Sequence, residues 1–130
     1  MADELILIVE DDNNSRTLLR DVLEVKGYRT MTSETAEEGV ALAQLHHPAL
    51  ILMDIHLPGM SGIDALRSLR AGKGTRDIPV IAVSASVMKE QQHEALTAGF
   101  DAFERKPISV SGILSIVREV LDRTTKPHPQ

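Results

Sequence analysis

The chain contains no cysteine, so neither a disulfide framework nor thiol chemistry is open to it. Tryptophan is absent as well, and the only aromatic residues are Tyr28, Phe100 and Phe103; the core has to be aliphatic. Basic residues are outnumbered, 14 Lys and Arg against 19 Asp and Glu, for a formal net charge of −5. That balance disfavours nucleic acid as a partner, because phosphate backbones require clustered cations. No apolar run approaches the ~20 residues needed to span a bilayer. The N-terminus, MADELILIVEDD, carries acids where a signal peptide starts basic, and its apolar run is only five residues, Leu5 to Val9. The expectation is a soluble cytoplasmic protein that binds neither nucleic acid nor membrane.

What is present suits one compact domain. The chain has 130 residues, 42% of them apolar, within the usual range for a single core. Short apolar runs alternate with longer amphipathic stretches. Strands are expected at Leu5–Val9, Tyr28–Thr32, Leu50–Met53, Ile78–Val83 and Ala102–Arg105. Helices are expected over 13–26 (Leu18, Leu19, Val22 and Leu23 on one face), after the Thr35/Glu38 capping pair, over 62–70, over 87–98, and after Ser109 with Leu114, Val117 and Leu121 on one face. Strands that are apolar throughout are buried on both sides, which means a parallel sheet with helices on each face. The expected fold is therefore a doubly wound α/β domain over residues 1–123, with residues 124–130 (TTKPHPQ) as a flexible tail.

The chemistry-bearing residues gather at strand ends. The first strand runs into Glu10, Asp11 and Asp12, and the third, LILMDIHLPGMSG over residues 50–62, ends in Asp54. In open α/β sheets the carboxyl ends of the strands are where ligands bind. If the first and third strands are neighbours, these acids share one pocket and repel each other. A hard divalent cation relieves that repulsion, and Mg²⁺ prefers one or two carboxylates together with water and phosphate oxygens. Ser84, ending the fourth strand, and Lys106, following the fifth, fall on the same edge; a hydroxyl and an ammonium suit phosphoryl oxygens. A carboxylate nucleophile, a metal, a hydroxyl and a lysine are the parts needed to form an aspartyl phosphate.

The segments ILIVEDD, LILMDIHLPGMSG with its D-x-x-x-P-x-x-x-G spacing, VIAVSA and FERKPIS together resemble the response-regulator receiver domain of two-component signalling, over about residues 4 to 122. Ser84 lies 30 residues beyond Asp54 and Lys106 lies 52 beyond it, both at the family's usual spacing. The resemblance implies a five-stranded parallel sheet in order 2-1-3-4-5 with five helices, the flavodoxin-like or CheY-like arrangement. It implies Asp54 as phospho-acceptor, Glu10 and Asp11 as the acidic pair for Mg²⁺, the backbone carbonyl of His56 as a further metal ligand, Ser84 as the switch hydroxyl and Lys106 as the phosphate-contacting lysine. Phe103 takes the place of the switch aromatic, and Lys106–Pro107 that of a peptide bond that is usually cis. Asp12 then reads as a first-turn helix residue, with Arg16 at the family's spacing from Asp11. His56 and Ser86 stand at variable positions beside the phosphate entrance and are expected to tune phosphoryl lifetime.

By ILIVED, LILMDI-x-LP and KPIS the chain is most similar to single-domain receivers of the DivK type. That implies a histidine kinase or histidine phosphotransfer protein as donor and a protein target as readout, through the fourth helix, fifth strand and fifth helix. It also implies a monomer or weak homodimer, and a phospho-acceptor rather than an enzyme. The expectation that no output domain follows residue 123 belongs to the same reading. Three other readings compete. A phosphatase with an aspartate nucleophile wants a second Asp where His56 stands. A flavin carrier needs aromatics and a phosphate-binding first loop, not EDDNN. A receiver-like docking module would share the fold and never carry phosphate. Adjacent His46 and His47 do not face one site on a helix and are expected to be exposed at its end.

Overall fold

The computed structural model describes residues 3–85 and 89–125. Ten elements alternate along the chain: β1 (Leu5–Val9), α1 (Asn13–Val25), β2 (Arg29–Ser33), α2 (Ala36–His46), β3 (Leu50–Asp54), α3 (Gly62–Ala71), β4 (Val80–Ser84), α4 (Lys89–Ala98), β5 (Ala102–Arg105) and α5 (Val110–Thr125). The five strands form one parallel sheet in the order β2-β1-β3-β4-β5, as expected. Among the described residues no helix is long and apolar enough to cross a membrane.

The continuous apolar strands follow from the pleat. Successive side chains point to opposite faces, and both faces are covered. Leu7, Val9, Ile51, Met53, Val80 and Ala82 point to one side, packing with Ala36, Ala43, Leu66 and Leu69 of α2 and α3. Ile6, Ile8, Leu50, Leu52, Ile81 and Val83 point to the other, against Leu19 and Leu23 of α1 and Ile113, Val117 and Leu121 of α5. Two aliphatic cores thus hold the central strands rigid from both sides, and β1 and β3 pair directly, Val9 opposite Met53. The loops after these two strands therefore share one edge of the sheet.

Element ends depart from the sequence expectation where side chains make local hydrogen bonds. Asp12 is not in the first turn of α1 but caps it, its Oδ2 accepting from the Ser15 N–H at 2.8 Å. That bond, first of all, lowers the Asp12 pKa. A depressed carboxylate pKa contributes stability above the unfolded-state value and loses it as pH falls through the folded-state value. The melting-temperature gap between wild type and Asp12→Ala is thus expected to be largest near neutrality and to close in acid, which melts across a pH series check directly.

β4 begins at Val80 rather than Ile78, because Ile78 turns back onto Thr75 O and the Val80 N–H is taken by the Asp101 carboxylate at 2.8 Å. Arg70 locks this corner, donating to the carbonyls of Arg76, Ile78 and Gly99 and to Asp101. α5 runs to Thr125, two residues beyond the expected boundary, and residues 126–130 lie outside the described residues. The expected start of the fourth helix at residue 87 and the position of Ser86 also lie outside them.

The β3–α3 connection explains its own motif. Gly59 adopts φ 77°, a conformation that favours glycine. Ser61 caps α3 through the Asp64 N–H. Gly62 sits against the end of β3, donating its N–H to Ile55 O at 2.9 Å. A Cβ there would lie 2.5 Å from the Asp54 carbonyl oxygen and 2.8 Å from Ile55 Cα, both backbone atoms that cannot rotate away. Gly62→Ala is expected to destabilise the domain by about 1–3 kcal/mol through overpacking and to shift Asp54. Urea midpoints check the first effect and the displacement of Asp54 backbone amide chemical shifts the second.

Candidate functional site

Adjacency of β1 and β3 brings Glu10, Asp11 and Asp54 together: one carboxylate oxygen from each lies within 4.8 Å of the others. Glu10 and Asp54 are buried and Asp11 is exposed, so the cluster opens outward past Asp11. Lys106 reaches across from the end of β5. Its Nζ stands 3.0 Å from Asp54 Oδ2 and 2.6 Å from Glu10 Oε1. The other Asp54 oxygen, Oδ1, accepts the His56 backbone N–H at 3.0 Å. With one partner on each oxygen, the plane of the Asp54 carboxylate is fixed.

Glu10 is held by its neighbours on three sides. Its N–H donates to Ser33 O, its carbonyl accepts from Arg16 Nη1, and its Oε2 accepts from the Asp12 N–H. Oε1 is buried and, among the described residues, has no hydrogen-bond partner of good geometry; its contact with the ammonium is an ion pair. Burial, and then the charge of Asp54, raise the Glu10 pKa, against the opposing pull of Lys106 and the Asp12 N–H. Burial acts to lower the Lys106 pKa, but hydrogen bonds and charge from Glu10 and Asp54 outweigh it and leave the value raised. Lys106 is therefore a firm ammonium serving as counter-ion to two crowded acids.

This donor set fits a hard divalent cation. All three side chains offer oxygen, and the crowding of like charges is what a cation relieves.

Ser84 and Phe103 complete the surroundings. Ser84 is fully buried at the end of β4, and its carbonyl accepts the Lys106 N–H at 3.0 Å, tying the two loops together. The Lys106–Pro107 peptide is cis. Phe103 is half-buried against the core on the α2–α3 side. With Ile55, His56, Ile63, Ser84 and Glu94 it lines a cavity of about 210 Å³ beside the acids. The structure thus gathers Glu10, Asp11, Asp54, His56, Ser84, Phe103 and Lys106 at one edge of the sheet. For Arg16, placed in the sequence only by its spacing from Asp11, it adds a hydrogen bond to the Glu10 carbonyl. His46 and His47 are exposed at the end of α2, as expected, and the His47 ring contacts Gly74 O.

Comparison with known proteins agrees with this geometry. Residues 6–118 match the response regulator receiver domain family. The chain is 40% identical over 116 residues to the polar-differentiation response regulator DivK of Brucella ovis, covering 89% of this chain and 94% of that protein. It is 39% identical over 116 residues to DivK of Brucella anthropi, with the same coverage. Among solved structures, a CheY-like response regulator receiver domain protein from Methanospirillum hungatei superposes with a TM-score of 0.87 at 31% identity, covering 95% of this chain and 97% of that one. The receiver domain of a Pseudomonas aeruginosa sensor histidine kinase, solved with a magnesium ion coordinated in its active-site cleft, superposes with a TM-score of 0.81 at 30% identity, covering 94% and 97%.

Proposed function

The chain belongs to the response-regulator receiver family, and from that premise we propose that Asp54 is its phospho-acceptor and that the Glu10–Asp11–Asp54 pocket binds Mg²⁺. The single observation carrying this reading is the convergence of three carboxylates and the Lys106 ammonium at one sheet edge. Glu10, Asp11 and Asp54 would hold the metal, with the His56 carbonyl as a further ligand. Bound there, Mg²⁺ would neutralise charge on the phosphoryl oxygens.

The chain's own residues do the rest. An Asp54 carboxylate oxygen attacks the phosphorus of a phosphohistidine on a kinase or phosphotransfer protein. The O–P bond forms, the P–N bond breaks, and the imidazole leaves after gaining a proton. The His56 N–H and Lys106 orient the carboxylate before attack. Lys106 and the Ser84 hydroxyl then serve the phosphoryl oxygens, the first by charge and the second by a hydrogen bond. Movement of Ser84 towards the phosphoryl group would bias Phe103 between its present half-buried place and the adjoining cavity. Phosphorylation would thereby change the affinity of the α4–β5–α5 face for a protein target. The protein would act in the cytoplasm as a phospho-acceptor that promotes only its own phosphorylation and dephosphorylation.

Intact-mass spectrometry after incubation with acetyl phosphate tests this reading. A single added phosphoryl group is expected with Mg²⁺ and none with EDTA. Uptake that ignores Mg²⁺ would overturn the metal assignment. Absence of uptake from both acetyl phosphate and a phosphorylated histidine phosphotransfer protein would overturn the acceptor assignment.

A further inference from the structure

Arg16 is the one cation of α1 that turns back onto the acidic pocket without touching a carboxylate of it. Its side chain is only 17% exposed. Nη1 donates to the Glu10 carbonyl at 2.9 Å and lies 4.0 Å from Glu34 Oε1 in the β2–α2 loop, while Nη2 donates to Asn13 Oδ1. Its own backbone N–H closes the first turn of α1 on Asp12 O. The Glu10 carbonyl belongs to the peptide joining Glu10 to Asp11. A guanidinium bound to that oxygen fixes the plane of the peptide, and with it the direction in which Asp11 leaves the chain. Asp11 needs such support: it is exposed, unlike Glu10 and Asp54.

We propose that Arg16 is a positioning residue for Mg²⁺ binding: by holding the Glu10–Asp11 peptide it presents the Asp11 carboxylate to the pocket. This rests on the reading of the pocket as a Mg²⁺ site. Partners that orient metal ligands typically change affinity by about 10–100-fold when removed.

The sign of the effect separates positioning from charge. A cation beside the pocket repels Mg²⁺, so if charge were the whole role of Arg16, its removal would tighten binding. Positioning predicts the reverse. The experiment is titration calorimetry with MgCl₂ on the full chain: wild type, Arg16→Met, Arg16→Lys and Arg20→Ala. Arg20 lies one turn further along α1, pairs with Asp21 and does not contact Glu10, so its variant removes the same charge without the peptide contact. Arg16→Met, which retains an apolar stem of similar reach, is expected to bind Mg²⁺ about tenfold more weakly. Arg16→Lys, still able to donate to the carbonyl, should recover part of that loss, and Arg20→Ala should stay near wild type. Phosphoryl uptake by Arg16→Met at saturating Mg²⁺ should return close to the wild-type rate, because Asp54 and Lys106 are untouched.

Unchanged or tighter Mg²⁺ binding by Arg16→Met would overturn the proposal, as would an equal loss in Arg20→Ala. Should Arg16→Met fail to fold, Arg16→Lys decides: wild-type affinity in it despite loss of the bidentate-capable guanidinium is consistent only if the Glu10 amide-plane hydrogen bond persists by NMR, and its loss with unchanged affinity overturns the proposal. A wild type that does not bind Mg²⁺ would instead overturn the reading of the site itself.

Discussion

Asp54→Ala is expected to abolish phosphoryl uptake to the detection limit of intact-mass spectrometry, with every donor that labels the wild type. The magnitude follows from the role: a nucleophile contributes the bond that is made, and no neighbour can replace it. Asp11 is exposed at the mouth of the cluster, and Glu10 is buried with its oxygens engaged by Lys106 and the Asp12 N–H. The variant should fold, because the same substitution has opposing consequences for stability. It deprives Lys106 of one partner at 3.0 Å but also removes a negative charge that raises the Glu10 pKa. Wild-type circular dichroism together with absent phosphorylation is the expected pair of results. Residual uptake at a comparable rate would mean that another acid accepts the group.

Lys106→Met is expected to produce the largest loss of stability among substitutions in the site. Glu10 and Asp54 are 2% and 7% exposed at the side chain, and Lys106, at 16%, is the cation that touches both. Removing one partner of a buried ion pair typically costs about 3–5 kcal/mol, because a charge is left uncompensated. Here part of that cost is relieved by protonation and by the partly open pocket, so about 2–4 kcal/mol is expected in EDTA. The sign with pH is fixed. Without the ammonium, which pulls the Glu10 pKa down, that pKa rises further above its unfolded value. A raised carboxylate pKa destabilises the fold as pH climbs past the unfolded value. The deficit should therefore be small in acid, where Glu10 is neutral, and full near neutrality. On the proposed Mg²⁺ site, millimolar Mg²⁺ should restore much of it, since a cation held only by the folded pocket stabilises the fold. Urea midpoints at two pH values, with and without Mg²⁺, measure all three effects. A deficit indifferent to Mg²⁺ would argue that Lys106 acts through packing of its stem instead.

Much of this was legible in the chain because the fold writes itself in two periodicities. Uninterrupted apolar residues at 5–9 and 50–53 signal strands covered on both faces, and the structure divides residues 6–9 and 50–53 alternately between two cores. The site was legible for a related reason. In a parallel sheet every strand ends on the same edge, so Glu10, Asp11, Asp54, Ser84 and Lys106 needed only the strand assignment to be brought together. What stayed hidden depends on contacts with groups distant in sequence. Arg70 donates to the carbonyl of Gly99, 29 residues away, a contact its own helix does not signal. Arg118 meets Tyr28 Oη and Glu4, both far from α5 in the chain. Pro79 lies near the start of an expected strand, but the Asp101 carboxylate that takes the Val80 N–H cannot be seen from β4's own residues. Asp12 moved from the first turn to the cap for a local reason, its side chain accepting the Ser15 N–H three residues on. α4 has only a weakly apolar face, so its limits were the least marked in the sequence.

The most direct test of the central claim is to locate the phosphoryl group. The protein is labelled from acetyl phosphate or a phosphorylated histidine phosphotransfer protein in Mg²⁺ and reduced with borohydride, which converts an aspartyl phosphate to homoserine. The site is then read by tandem mass spectrometry of the peptide spanning β3. Homoserine at position 54, and at no other acid, is the predicted result. Homoserine at Asp11 or Asp12, or at none of the three with either donor, would contradict it.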